Sequence, residues 1–153
     1  MSPLTVLAAT PGKLARLVRR LSRAQLRKSP EPGKWSIGEI LAHLAEAEIV
    51  IGWRLRNMIS ASGTTIQAYD QDAWAADRGY SRMDYRSSLE IFRVLRAFNL
   101  TMLKSLKPEM LECYGLHSER GKETVAHTMR MAAGHDLNHL RQVERIAREV
   151  PRR

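Results

Sequence analysis

The stretch from Ser36 to Met58 most constrains how this chain can fold. Ser36-Ile37-Gly38-Glu39 has the spacing of a capping box, in which the serine side chain caps a helix and the glutamate reaches back to the cap's N–H. Trp35, just before the cap, is placed to pack on Ile40. Ile40, Leu44, Ala47, Ile51, Leu55 and Met58 then recur at near-heptad intervals, an apolar stripe that requires a partner helix. Such a helix cannot be stable alone, so the other helices must cover it.

Three further long helices follow from the same periodicity. Leu14, Leu17, Val18 and Leu21 form one stripe, with Thr10 as the expected N-cap and Pro11 at the first helical position. Residues 3–9 are expected to form at most a short leading turn, and Ser29-Pro30-Glu31-Pro32-Gly33 ends the segment. A third helix is expected from about Asp84 to Leu106, burying Leu89, Phe92, Leu95, Phe98 or Asn99, Met102 and Leu106. A last one begins at Thr124 as N-cap, runs to about Val150 and is closed by Pro151. Residues 61–82 and 109–123 read as connections, the first with a short helix over Asp70–Arg78. With 153 residues, 44% of them apolar, and no internal repeat, the chain is expected to be one all-α domain over residues 1–153.

The formal net charge is +9, which raises the question of nucleic acid or an anionic surface. No Lys/Arg block is interleaved with aromatics, and Arg16, Arg19, Arg20, Arg23 and Arg27 fall largely off the first stripe. A solvated basic surface is the simpler reading, and nucleic acid is not the expected partner. No apolar run approaches the roughly 20 residues that span a bilayer. The single Cys113 excludes an intrachain disulfide and fits a reducing cytoplasm. It reads as packing near a helix end, and His117 as a surface histidine in a connection.

The chemistry is concentrated in histidines. His135 and His139, four residues apart on the last helix, project from one face one turn apart. Thr128, Ala132, His135, His139, Gln142 and Ile146 share that face, and the small residues Ala132, Ala133 and Gly134 leave room beside His135. His43 lies at the edge of the Ile40–Met58 stripe, about 60° from its centre. If the two helices pack, three imidazoles converge. Three neutral imidazoles suit zinc, nickel or iron(II) and leave a coordination position open for water or a thiol. Arg54, 11 residues after His43 and so on the same line about 16 Å along the axis, is a candidate to orient an anionic substrate. An ion pair with Glu48 or Asp72 is the alternative for it. Asp70 and Asp72 are candidate ligands from the connection, or caps and turn formers. Glu46 is expected on a more exposed side. Asp136 points about 100° away from His135.

Gly33-Lys34-Trp35-Ser36-Ile37-Gly38-Glu39-Ile40-Leu41-Ala42-His43-Leu44-Ala45-Glu46-Ala47-Glu48 resembles the first signature of the DinB-like superfamily. Asp70-Gln71-Asp72-Ala73-Trp74, His117-Ser118-Glu119-Arg120-Gly121 and His135-Asp136-Leu137-Asn138-His139 resemble its later landmarks, in the same order. The resemblance implies an up-down-down-up four-helix bundle with a long crossover. It also implies a divalent metal on His43, His135 and His139, and a homodimer. Members with known activity include thiol S-transferases that use bacillithiol or mycothiol, and others are described as metal-dependent hydrolases. The expected protein is therefore a metalloenzyme that activates a low-molecular-weight thiol or water for a small-molecule substrate. Two alternatives stand beside it: a non-enzymatic structural or regulatory dimer with packed histidines, and a basic nucleic-acid-binding module.

Overall fold

In a computed structural model of the chain, which describes residues 1–149, four long helices surround a core divided by a polar layer. They are α1 (Pro3–Val18), α3 (Ile37–Ser60), α5 (Tyr85–Lys104) and α6 (Val125–Glu149). Two short helices lie between them, α2 (Arg23–Arg27) and α4 (Gln71–Arg78), with single 3₁₀ turns at Tyr80–Arg82 and Pro108–Glu112. Helices α1 and α3 each pack against both α5 and α6, which makes a four-helix bundle. Among the described residues no helix is long and apolar enough to cross a membrane. The expected end of the last helix at Val150–Pro151, and the basic Arg152 and Arg153, lie outside the described residues.

The capping boxes explain why helices begin where they do. Ser36 accepts from the Glu39 backbone while Glu39 reaches back to the Ser36 N–H at 2.8 Å. The same reciprocal pair joins Ser22 and Gln25 at the start of α2. Each cap is worth about 1 kcal/mol. Asp84 caps α5 and Asp70 caps α4 through their carboxylates, and the Thr124 hydroxyl accepts from His127 N–H at the start of α6.

Helix α1 departs from the expectation. It starts at Pro3 with Ser2 as its cap, and Pro11 sits inside it. Thr10 is not an N-cap: it is buried, and its hydroxyl donates to the Val6 carbonyl at 2.9 Å. An internal proline has no N–H for the carbonyl four residues earlier, here that of Leu7. The orphaned Leu7 oxygen accepts from Arg96 Nη1 at 2.9 Å. The helix therefore survives its proline because a side chain of α5 replaces the missing donor.

Arg96 also donates to Asp136 through both terminal nitrogens, at 2.6 and 3.0 Å, and to Glu48 at 2.9 Å. Asn99 donates to the carboxylate and the carbonyl of Glu48 at 2.9 and 3.1 Å. All four side chains are buried. Burial works against the Arg96 charge, and its hydrogen bonds to Asp136 and Glu48 outweigh it, so its pKa is raised. One guanidinium thus ties α1, α3, α5 and α6 together. Along the helix axes this layer separates two apolar clusters, one around Leu14, Ile40, Leu44, Phe92, Val143 and Ile146, the other around Leu7, Leu55, Met58, Leu103, Val125 and Met129.

The buried face of α5 is rotated from the expected one. Ser88, Phe92, Arg96, Asn99, Leu100 and Leu103 are buried; Phe92 is as expected, and of the alternatives Phe98 and Asn99 it is Asn99 that is buried, while Phe98 is 64% exposed. A periodicity of apolar residues alone cannot find a face whose centre is an arginine. A Cβ at Gly38 would touch Tyr85, and one at Gly52 would fall 2.6 Å from the Asn99 amide. The start of α3 thus meets the start of α5 and its later part meets the later part of α5, so the two run side by side in one sense. Parallel neighbours need a chain segment long enough to return to the same end, and residues 61–84 supply it.

Neither connection is structureless. β1 (Thr64–Ile66) pairs in parallel with β2 (Tyr114–His117), with Ile66 opposite His117. β2 pairs antiparallel with β3 (Gly121–Thr124). This small sheet joins the two connections and places the segment after β1 against the β2–β3 turn. Cys113, just before β2, is partly buried against the second apolar cluster.

The fold makes one quantitative demand. Arg96→Ala leaves the buried Asp136 carboxylate and the Leu7 carbonyl without their donor and Glu48 with Asn99 alone, and should lower unfolding free energy by about 3–5 kcal/mol. Urea denaturation of the variant beside wild type checks this; a loss under about 1 kcal/mol would mean the layer is not holding the bundle.

Candidate metal centre

His43 from the first third of α3 and His135 and His139 from the middle of α6 meet in the bundle interior. His43 Nε2 lies 2.9 Å from His135 Nε2, and His139 Nε2 lies 3.1 Å from it. The three rings are mutually tilted, with centroids 4.4 to 5.0 Å apart. Their ligating atoms all fall within 4.8 Å of one another, a group able to hold one metal ion. His43 and His139 are buried, and His135 is partly exposed.

Each ring is fixed by what packs around it. Trp35 lies against His43, with centroids 4.9 Å apart, and Tyr80 stands edge-on to Trp35. His139 Nδ1 faces Gln142 Oε1 at 2.9 Å, so this nitrogen carries the hydrogen and Nε2 presents its lone pair to the cluster. His135 follows from its neighbour in sequence: Asp136, clamped by Arg96, sets the rotation of α6 about its own axis.

Burial pushes the His43 pKa down to about 3 and that of His135 to about 4, with the neighbouring imidazoles adding to the effect. His139 is lowered by burial too, with Gln142 partly offsetting. All three rings are therefore neutral at pH 7, the form that ligates a metal. For zinc with Zn–N distances of about 2.0–2.1 Å, tetrahedral ligand nitrogens stand roughly 3.3 Å apart. The observed separations are close to that. The residues fit a divalent cation.

The other candidates distribute unequally. Arg54 lies half-buried and shares a cavity with His135. Its Nη2 donates to the Gln67 carbonyl at 2.7 Å, and its guanidinium faces the Tyr69 ring. It pairs with neither Glu48, which Arg96 holds, nor Asp72. A cavity of about 180 Å³ runs from His135 to Arg54 and is closed by Tyr69, Thr128, Arg120 and Glu123. Asp70 caps α4, accepting from the N–H groups of Asp72 and Ala73 at 2.9 and 3.0 Å, and edges a larger groove that also reaches Arg54. Asp72 is exposed and lines a separate depression with Trp35, Glu39 and Arg82. The structure thus brings Arg54 to the histidine cavity, Asp70 to its outer groove, and Asp72 to neither.

Two expectations are corrected. Glu46 is buried, because α4 and the turn after it cover its side of α3. Its oxygens accept from Arg78 Nε at 3.0 Å and from the Tyr80 hydroxyl at 2.9 Å, and the Tyr80 pKa is raised by burial first and then by that bond. His117 is no surface residue: it is 3% exposed, held under the β2–β3 turn. The roles of Arg120 and Glu123 were not legible in the sequence, because only the sheet register brings them beside Arg54.

A family model described as the DinB superfamily matches residues 7–143. The chain belongs to the DinB superfamily. An Oceanobacillus iheyensis protein named "putative metal-dependent hydrolase" is 25% identical over 138 residues, spanning 90% of this chain and 80% of that protein. Among solved structures, Bacillus subtilis YfiT, described as a "probable metal-dependent hydrolase with an unusual four-helix bundle topology", superposes with a TM-score of 0.89. It is 20% identical, over 95% of this chain and 84% of that one. A mycothiol-dependent maleylpyruvate isomerase superposes at 0.74 and 13% identity, over 92% of this chain and 59% of its own. The likenesses to these two structures concern the fold.

The depressed histidine values carry a sign. Above the unfolded histidine pKa of about 6.5 both states are neutral and nothing is lost. Below it the unfolded chain takes up protons that folded His43 and His135 refuse, so stability falls from pH 6.5 toward about 3 to 4. Thermal unfolding of metal-free protein should show this slope between pH 7.5 and 4.5. His43→Gln should flatten it, and an unchanged slope in that variant would contradict the assignment.

Proposed function

We propose that this DinB-superfamily chain is a metal-dependent enzyme in which His43, His135 and His139 hold one divalent cation and a small-molecule substrate enters beside it. The observation that carries the reading is the meeting of three neutral imidazole Nε2 atoms, one of them on His135, which lines a cavity. Without a metal, and with the His139 hydrogen on Nδ1, a hydrogen bond satisfies only one of the two Nε2–Nε2 contacts, whereas one cation satisfies all three lone pairs. Bound there, a divalent ion would supply Lewis-acid activation of a nucleophile, lowering the pKa of water or a thiol.

The chain's own groups do the rest. The three rings leave further coordination positions facing the cavity. Gln142 orients His139, and Trp35 walls His43 from solvent. Val50 and Ile51, with Ala132, line the space next to His135 and make it largely apolar, which strengthens electrostatic contacts made inside. Water as the nucleophile, a hydrolase, is favoured by the names of the relatives. A low-molecular-weight thiol is the second reading, supported by the mycothiol-dependent fold neighbour and by the cationic cavity wall.

Elemental analysis of untagged protein after incubation with zinc, nickel or iron(II) should find about one metal per chain. His43→Ala and His139→Ala should each lose it, and chelation should lower the midpoint of thermal unfolding in wild type only. Wild-type protein that stays metal-free would end the proposal. Ester and amide hydrolysis and thiol-transfer assays with the loaded protein then separate the two nucleophiles.

Gln142→Leu should weaken the metal about tenfold to a hundredfold in competition with a chromogenic chelator, because ring orientation and basicity are lost while all three ligands remain. Equal affinity would mean that Gln142 does not orient His139.

A further inference from the structure

The cavity wall opposite His135 carries an electrostatic imbalance. Arg54 is half-buried and, among the described residues, forms no ion pair; its one polar partner is the Gln67 carbonyl. Beside it stands a second guanidinium, Arg120, which pairs with the buried Glu123 through Nε at 2.5 Å and Nη2 at 3.3 Å. Burial works against the Glu123 charge, and Arg120 overcomes it and holds the carboxyl below its usual value. Burial first, and then the proximity of Arg120, disfavour the charged form of Arg54. An arginine stays protonated regardless, so one positive charge in this wall is uncompensated.

His117 is buried under the adjacent β2–β3 turn. His117 Nδ1 accepts from the backbone N–H groups of Glu119 and Arg120 at 3.2 and 3.4 Å, so the ring hydrogen sits on Nε2. That nitrogen is buried and has no partner. His117 lies within the electrostatic reach of both Arg54 and Arg120.

We propose that the space at Arg54, flanked by Arg120, is a binding site for the carboxylate end of the substrate. The small cavity leads from there to His135, and the larger groove takes the apolar remainder. The planar fork of a guanidinium matches a carboxylate in two parallel hydrogen bonds. The cavity of about 180 Å³ is smaller than the roughly 300–1,000 Å³ of a site for a whole drug-sized ligand. The groove beyond, of about 590 Å³ and lined by Ile49, Trp53 and Trp74, shares Val50, Arg54 and Tyr69 with it. Arg54 thus stands at the junction of a small chamber that leads to His135 and a wider aromatic one. An elongated carboxylate anchored there would have one part within reach of the histidines. That the ligand is a substrate rests on the metalloenzyme reading; the carboxylate site itself does not.

Calorimetric titration with succinate, its neutral diamide succinamide, and inorganic phosphate tests this, on both metal-loaded and metal-free protein. Succinate should bind in both forms, and succinamide in neither. Phosphate should bind more weakly than succinate. Arg54→Gln should weaken succinate at least tenfold, and Arg54→Lys, which keeps the charge and loses the fork, by less. Should Arg54→Gln fail to fold, Arg120→Gln reports on the same wall: it leaves Glu123 uncompensated and should also weaken succinate. Succinate affinity unaffected by these changes, binding that disappears with the metal, or phosphate bound as tightly as succinate would each overturn the assignment. A protein that takes up no metal yet binds succinate through Arg54 would refute the metalloenzyme reading and keep this one. Metal uptake without succinate binding would do the reverse.

Discussion

The bundle depends on the charge of Arg96. An ion pair taken out of water is expensive, and a buried one is stabilising only when nearly every donor and acceptor is matched. Here the guanidinium meets two carboxylates and a carbonyl, and Glu48 receives further bonds from Asn99. The carbonyl is free only because Pro11 cannot donate to it. Two features that would each be a defect alone, a proline inside a helix and an arginine inside a core, cancel one another. The consequence reaches the metal centre: Asp136 is adjacent in sequence to His135, so clamping one fixes the direction of the other. The helix rotation that satisfies the salt bridge is the rotation that aims His135 and His139 at His43.

This coupling explains which parts of the molecule could be read from the chain. Helix α3 was legible because its capping box and apolar stripe agree, and both are local. The histidine cluster was legible because a spacing of four on one helix requires one face, and His43 flanks the stripe that must pack on it. Helix α5 was misread where it matters most, since Phe98 looks like core and Arg96 does not. Nothing local reveals that Glu48, 48 positions before Arg96, and Asp136, 40 positions after it, will neutralise it. Pro11 was taken as a helix start for the same reason: the donor that excuses an internal proline comes from residue 96.

The site's outer wall was the least legible. Arg54 could be placed by helical periodicity, three turns from His43. Arg120, Glu123 and His117 could not, because their positions follow from the pairing of β2 with β1 and β3, and strands of three and four residues leave almost no periodic signal. Residues that look like a polar connection in the sequence become the cavity's far side once Ile66 is set opposite His117. Glu46 illustrates the converse. On α3 alone it faces outward, and it is buried by Arg78 and Tyr80 from a connection whose path the sequence does not disclose.

The cavity itself is a result of subtraction. Along α3, Ala47 comes one turn after His43 on the way to Arg54; along α6, Ala132 comes one turn before His135. Both are buried and both line the cavity. At the corresponding levels elsewhere in the bundle, leucines and isoleucines fill the interior, as Leu14, Leu44, Val143 and Ile146 do around Phe92. A larger apolar side chain at either alanine would gain about 1.5–3 kcal/mol of burial if it packed without strain. The bundle forgoes that at two positions, and the empty volume lies between His135 on one side and two guanidiniums on the other. Stability alone would favour closing this gap. Its persistence between two sets of complementary groups is the physical reason to read it as a reaction chamber rather than as imperfect packing.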